Sequence, residues 1–272
     1  MIFISYEQMI ADVRKWSEQL PANIDCFVGV PRSGMLVANL LALIRNVPMA
    51  DVHAWRQQTT LGFGPRLKVK PIELAMLVED SALSGKSLNA AWEQVKSPRM
   101  IKGALYVKPG LNLEETLYYK EVPTPRLFEW NIFHGYYMRH ACVDIDGVLC
   151  RDPTREENDD AEGYEHFLNN VKPRLIPTVI IPHLVTGRLE KYRPQTEAWL
   201  DAHKIRYKKL SMHPAKSMKD RRALGNHADQ KARIYADSDA LLFIESSNSQ
   251  AAKINHLTGR PVFCTDTMVM HV

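Results

Sequence analysis

The sequence predicts an α/β chain made of two doubly wound parallel-sheet domains. Three observations point there. Short apolar runs of strand length alternate with helical patterns along both halves of the chain, the pattern of parallel strands joined by crossover helices. At 272 residues the chain lies where a single hydrophobic core stops growing efficiently and a second domain is expected. The alternation breaks once, between Pro109 and His140, in a stretch rich in proline and aromatics that includes Pro123, Pro125, Phe128, Trp130, Phe133, Tyr136 and Tyr137. We read the break as a subdomain and a short linker, and divide the chain into domains 1–137 and 138–272.

Ser5 with Gln8 three residues on makes a capping-box start, and Met9, Ile10, Val13, Trp16 and Leu20 then recur at helical spacing until Pro21 stops the run. Strands are expected at 26–30, 75–78 and 104–107, with helices at 35–44 and 87–95 between them. After the break, strands are expected at 141–145, 179–185, 205–210, 241–244 and 261–264.

Composition excludes several classes. With 45% hydrophobic and 24% charged residues, the chain has the balance of a folded globular protein rather than a disordered one. A net charge of +4 suits anionic small-molecule substrates and does not itself call for a nucleic-acid partner. The four cysteines, Cys26, Cys142, Cys150 and Cys264, lack CxxC spacing, so they read as structural free thiols in a reducing compartment. Residues 1–6 carry no basic region and no long apolar core. The longest apolar stretches, such as 40–44, are far short of the roughly 20 residues that span a bilayer. The expectation is a cytoplasmic protein with no membrane partner.

In the first half, an apolar strand ends in two carboxylates, Glu79 and Asp80, followed by Ser81, Ser84, Gly85, Lys86 and Ser87 at the start of a helix. Such a turn lets backbone N–H groups and hydroxyls converge at a helix N-terminus, where an anion is favoured. The segment resembles the signature of the type I phosphoribosyltransferases: four apolar residues, two acidic residues, then a Thr/Ser-x-Gly-x-Thr/Ser loop. The resemblance implies that Glu79 and Asp80 hold the ribose hydroxyls of phosphoribosyl pyrophosphate, and that Ser81 to Ser87 hold its 5′-phosphate. Val30-Pro31-Arg32-Ser33-Gly34, at the end of the preceding strand, resembles the same family's pyrophosphate loop, with Arg32 and Ser33 as contacts. By the same resemblance 55–70, with Arg56, Gly62, Gly64, Arg66 and Lys68, falls where the family carries a mobile loop, and 125–131 where it places the part that binds the base. Phe128 or Trp130 would there stack on a planar ring.

In the second half, Asp144-Ile145-Asp146-Gly147-Val148-Leu149 follows an apolar strand. A carboxylate at a strand end can attack phosphorus if a cation screens it, and a second carboxylate two residues on shares its face. The string resembles motif I of the haloacid-dehalogenase superfamily, which implies Asp144 as nucleophile and Asp146 as general acid/base. Thr186 in Val185-Thr186-Gly187-Arg188 would bind a phosphoryl oxygen as the family's motif II. Lys231, 14 residues before Glu245, has the spacing of motif III, with Lys216 and Lys219 as alternatives. Glu245 would complete a Mg²⁺ site with Asp144 and the Asp146 carbonyl. The sequence departs from the family here: one acidic residue stands where two, or a Gly-Asp pair, are usual, with Ser246 or Asn248 as helpers. Only 42 residues separate Asp144 from Thr186, too few for a large cap domain, and 152–162 reads as a solvated acidic loop. The basic stretch 204–222 reads as a solvated face.

Together the resemblances imply a bifunctional enzyme of nucleotide metabolism: a transferase acting on phosphoribosyl pyrophosphate and a base-like acceptor, and a Mg²⁺-dependent phosphate monoester hydrolase, coupled so as to yield a nucleoside. They also imply a homodimer. Two rival readings stay open at this level: a nucleotide-sensing first domain regulating the phosphatase, and end processing of nucleic acid, since Thr186 to Arg188, Thr196, Trp199 and Leu200 are similar to polynucleotide phosphatases as well.

Overall fold

Ser5 caps the opening helix as its spacing predicts, its hydroxyl accepting the Gln8 amide at 3.1 Å, while the Gln8 side chain turns forward to Asp12 at 2.9 Å. In this computed structural model, which describes residues 1–60, 71–224 and 227–272, the chain divides into two units: 2–130, and 131–272 together with Met1. Residues 131–137, assigned to the first half on sequence, cluster with the second unit.

The first unit contains β1 (Ile2–Ile4), α1 (Tyr6–Gln19), β2 (Cys26–Gly29), α2 (Gly34–Arg45), β3 (Met49–Asp51), α3 (Val52–Arg56), β4 (Ala75–Ala82), α4 (Lys86–Val95), β5 (Met100–Val107), β6 (Thr116–Glu121) and β7 (Arg126–Phe128). Five strands form a parallel sheet in the order β3-β2-β4-β5-β6, and β1 pairs with β7 in a separate parallel ribbon. Alternation along β2 and β4 sorts side chains to two faces. Phe27, Met76 and Val78 pack with Met9, Val13 and Trp16 of α1 and with Val37 and Leu41 of α2. Cys26, Val28, Ala75 and Leu77 pack with Leu88, Ala91 and Val95 of α4. Both faces are covered, which is why these strands read as continuous apolar runs.

The second unit contains β8 (Ala141–Val143), α5 (Glu162–Asn170), β9 (Ile181–Leu189), α6 (Arg193–Ala202), β10 (Tyr207–His213), α7 (Met218–Ala223), α8 (His227–Ala236), β11 (Leu242–Glu245), α9 (Asn248–Thr258), β12 (Val262–Cys264) and β13 (Val269–His271). Its sheet runs β10-β9-β8-β11-β12-β13, parallel except for β13 at the edge. The strand expected at 179–185 begins instead at Ile181 and runs through Thr186, Gly187 and Arg188 to Leu189. All four cysteines are buried free thiols. Among the described residues no helix is long and apolar enough to cross a membrane.

Each sheet reverses its winding once. In the first, the chain moves one way from β2 to β3 and the other way from β4 onward; in the second, it moves from β8 to β9 and β10 on one side and to β11 and β12 on the other. The crevice at the carboxyl ends of the strands flanking such a reversal is where open α/β sheets bind ligands. Those ends carry the candidate residues in both units.

Candidate functional sites

The first site lies where the β2–α2 and β4–α4 connections meet. Their approach is so close that a Cβ on Gly34 would stand 2.5 Å from the Val78 carbonyl oxygen and 3.2 Å from the Glu79 Cα, leaving no room for any side chain there. Arg32 is exposed and Ser33 half-buried at the start of α2, after a cis peptide between Pro31 and Arg32. Gly85, with φ 72°, caps α4, and Ser84, Lys86 and Ser87 are exposed around it while Ser81 is half-buried. The turn thus presents hydroxyls and the first amides of α4 to the crevice, a combination suited to a phosphate.

Glu79 and Asp80, at 6% and 5% exposure, lie near the carboxyl end of β4. Two adjacent carboxylates in so dry a place cannot both ionise easily. Burial pushes Glu79 up from its ordinary value of 4.5 to about 8, the neighbouring Asp80 adding to the rise and a hydrogen bond from Ser87 opposing it. Asp80 is also raised by burial, and hydrogen bonds from Glu79 and the Trp130 indole pull it back. The folded chain therefore holds a proton on Glu79 that the unfolded chain releases. Because the native state binds more protons across this window, its stability falls as pH rises from about 4.5 to about 8. Glu79→Gln is expected to flatten that fall, raising the melting temperature at pH 8 by several degrees and leaving it unchanged near pH 4. Parallel melting curves of the two proteins against pH check this.

The two aromatic candidates separate. Phe128 is 8% exposed, stacked between Tyr106 and Trp130, and so belongs to the core. Trp130 is half-buried and donates from Nε1 to Asp80 Oδ2 at 2.7 Å. Of the stretch expected to form a mobile loop, 61–70, with Gly62, Gly64, Arg66 and Lys68, lies outside the described residues, while Arg56 sits in α3.

The second site gathers residues from three neighbouring parallel strands and two helices. Asp144 follows β8, Glu245 ends β11, and Lys231 reaches between them from α8, donating to Asp144 Oδ2 at 2.5 Å and to Glu245 Oε2 at 2.6 Å. Gln250 of α9 accepts a third contact from the same ammonium at 3.2 Å. All three charged side chains are at least nine-tenths buried. Lys216 and Lys219 are exposed and make no such bridge. Burial raises Asp144 to about 7 against the opposing pull of Lys231, with Glu245 adding to the rise. Burial works against the Lys231 charge, but the two carboxylates outweigh it and hold the ammonium protonated well above neutral pH.

Asp146 has a cation of its own. Arg188, 1% exposed, donates to Asp146 from Nε at 3.1 Å and from Nη2 at 2.6 Å, while its guanidinium lies 5.7 Å over the Trp199 ring and Nη1 reaches Thr196 Oγ1 at 3.4 Å. Sequence reasoning gave Arg188 no role, although its period-two spacing from Thr186 on β9 was the signal that both face the same way. Thr196 and Trp199 are buried supports of that arginine. Thr186 is 2% exposed, its hydroxyl accepting the Arg188 amide at 3.2 Å.

The loop after Asp146 is held close: Gly147 has φ 77°, and a Cβ on it would collide with the Ser246 side chain. Ser246 Oγ donates to the Asp146 carbonyl at 3.4 Å, whereas Asn248 is turned toward β13, accepting from His271 at 2.9 Å. The acidic stretch 152–162 is not simply solvated. Asp159 accepts the amides of Ala161, Gly163 and Tyr164 at the start of α5; Asp160 pairs with Lys191 and accepts from Tyr192 and Met218; Glu157 pairs with Arg151. From the basic stretch, Arg221 Nη1 reaches the Gly187 carbonyl at 2.6 Å.

For a divalent cation the donors are all oxygens. Among the described residues no three His, Cys, Asp or Glu side chains form a metal-binding group. Three carboxylates, Asp144, Asp146 and Glu245, face two cations, Lys231 and Arg188. Asp144, Glu245 and the Asp146 carbonyl offer the hard oxygen donors that suit an ion such as Mg²⁺, which keeps several waters and needs only one or two carboxylates, and in this structure Lys231 bridges the two carboxylates.

No family model and no curated protein matches the chain. Solved structures similar to it include a purine phosphoribosyltransferase from Pyrococcus horikoshii Ot3, at 22% identity and TM-score 0.38, over 50% of this chain and 96% of that one. The xanthine-guanine-hypoxanthine phosphoribosyltransferase of Helicobacter pylori aligns at 21% identity and TM-score 0.38, over 48% of this chain and 93% of that one. An orotate phosphoribosyltransferase from Aeropyrum pernix aligns at 17% identity and TM-score 0.31, over 43% and 70%.

Proposed function

We propose that the chain is a bifunctional enzyme of nucleotide metabolism, with a phosphoribosyl-transfer site in its first unit and an aspartate-based phosphomonoesterase site in its second. One observation carries both halves: in each sheet, the strands flanking the reversal of winding end in a cluster of carboxylates. In the first it is a carboxylate pair beside a hydroxyl-rich helix start; in the second, two carboxylates bridged by a buried lysine.

In the transfer site, Asp80 and Glu79 accept the ribose hydroxyls, the turn from Ser81 to Ser87 receives the 5′-phosphate, and Arg32 with Ser33 meets the pyrophosphate. Catalysis there is mostly orientation of the acceptor against the anomeric carbon and stabilisation of the departing pyrophosphate. In the hydrolytic site, Asp144 attacks phosphorus, forming an O–P bond as the ester oxygen leaves. Asp146 gives that oxygen a proton, then takes one from the water that opens the aspartyl phosphate. Thr186 and Lys231 hold phosphoryl oxygens. Asp144, Glu245 and the Asp146 carbonyl would hold Mg²⁺, which when bound would screen charge between nucleophile and phosphate.

A nucleoside monophosphate made by transfer is a substrate for the hydrolytic chemistry, and its hydrolysis would draw the reversible transfer forward. Purified protein incubated with Mg²⁺, phosphoribosyl pyrophosphate and a panel of bases is expected to release pyrophosphate, phosphate and free nucleoside in step. Pyrophosphate release that leaves the monophosphate intact would refute the coupling, and binding of phosphoribosyl pyrophosphate without turnover would favour a sensing role for the first unit.

A further inference from the structure

Within residues 2–130, three aromatic rings stack outward from the core. Tyr106 is anchored by its hydroxyl, which donates to Asp12 at 2.8 Å. Phe128 lies on Tyr106 with centroids 5.6 Å apart and planes 18° from parallel, and Trp130 lies on Phe128 at 5.0 Å and 24°. The first two rings are buried and the third is half-buried, so the stack ends at the surface on Trp130. That last ring is fixed at its edge as well, because Nε1 donates to Asp80 Oδ2 at 2.7 Å, while Tyr6 tilts against it at 5.8 Å and 47°.

An indole N–H can only donate, so its contact favours the ionised form of the carboxylate it meets. A carboxylate at 5% exposure needs such a partner to stay charged and aimed. The same bond fixes the plane of the indole, since a ring held on one face by Phe128 and at one edge by Asp80 has lost its rotational freedom. One hydrogen bond, between residues 50 apart in sequence, therefore sets two geometries together.

We infer that Trp130 is a positioning residue of the transfer site: its N–H holds Asp80 as acceptor for the sugar diol. The inference rests on the transferase reading of the first unit. It assigns that function to the N–H and not to the ring, which substitution can separate. Phenylalanine keeps a ring on the stack and loses the N–H; leucine loses both.

The test compares wild type, Trp130→Phe and Trp130→Leu, with binding of phosphoribosyl pyrophosphate measured by calorimetry and acceptor KM by initial rates. Trp130→Phe should weaken phosphoribosyl pyrophosphate binding about tenfold, as expected for a lost bond to a charged group, and change acceptor KM less than about twofold. Trp130→Leu should weaken phosphoribosyl pyrophosphate binding at least as much. Equal binding by Trp130→Phe and wild type overturns the inference while leaving transfer intact. A wild type that binds phosphoribosyl pyrophosphate but releases no pyrophosphate overturns the transferase reading, and the binding comparison still reads the Asp80 contact. A ligand-free measurement guards against misfolding: in proton–nitrogen spectra, the indole signal that disappears in Trp130→Phe should shift in Asp80→Asn. An unmoved signal overturns the contact itself.

Discussion

Asp144→Asn is expected to lower phosphate release by about 10⁴-fold or more, the scale seen when a covalent nucleophile is removed, and to leave pyrophosphate release unchanged. The change is nearly isosteric, and an asparagine oxygen can still accept from Lys231, so the second unit should remain folded. Burial already makes the Asp144 charge costly, raising it to about 7. Asp144→Glu complements it: the charge is retained, the reach is wrong by one methylene, and turnover should be lost as well. Phosphate release from Asp144→Asn at the wild-type rate would remove the hydrolytic half of the proposal.

The largest effect on stability is expected from Arg188→Met. The side chain is fully buried while that of Asp146 is 17% exposed. Removing one partner of a buried pair strands the other charge, at a cost of about 3 kcal/mol, the lower end of the range because water can reach Asp146. Methionine fills most of the volume over Trp199, so lost packing contributes less than the stranded carboxylate. Arg188→Lys should recover little, since one ammonium cannot reproduce the forked contact. The double variant Arg188→Met with Asp146→Asn should regain much of the loss, because it removes the orphaned charge. Urea unfolding of wild type, these three variants and Asp146→Asn alone measures each cost, and additive losses in the double variant would contradict a direct pairing.

The parts of this chain legible in its sequence are those that depend on neighbouring residues. The runs ending at Gly29, Val143 and Glu245 read as strands because both faces of the sheets are covered, and the helix from Tyr6 to Gln19 reads from its cap and its apolar stripe. The turns after β4 and β8 read because their composition departs sharply from the strands that precede them. What escaped notice depends on partners far apart in the chain. The ribbon of β1 with β7 joins residues more than a hundred positions apart, and three-residue strands carry no periodic signal. The Trp130 bond to Asp80 and the Arg188 pair with Asp146 span 50 and 42 residues. Arg188, given no role on sequence, is turned inward by the register of β9.

Lys231 gives the second unit a property that follows from its place on α8 between two strand ends. The folded chain carries its own counterion, covalently attached, so the acidic crevice does not depend on solutes to hold its walls together. Small zinc-bound modules unfold when chelated because the ion is their keystone. Here the keystone is an amino acid, and stripping divalent ions should silence the chemistry while the scaffold stands.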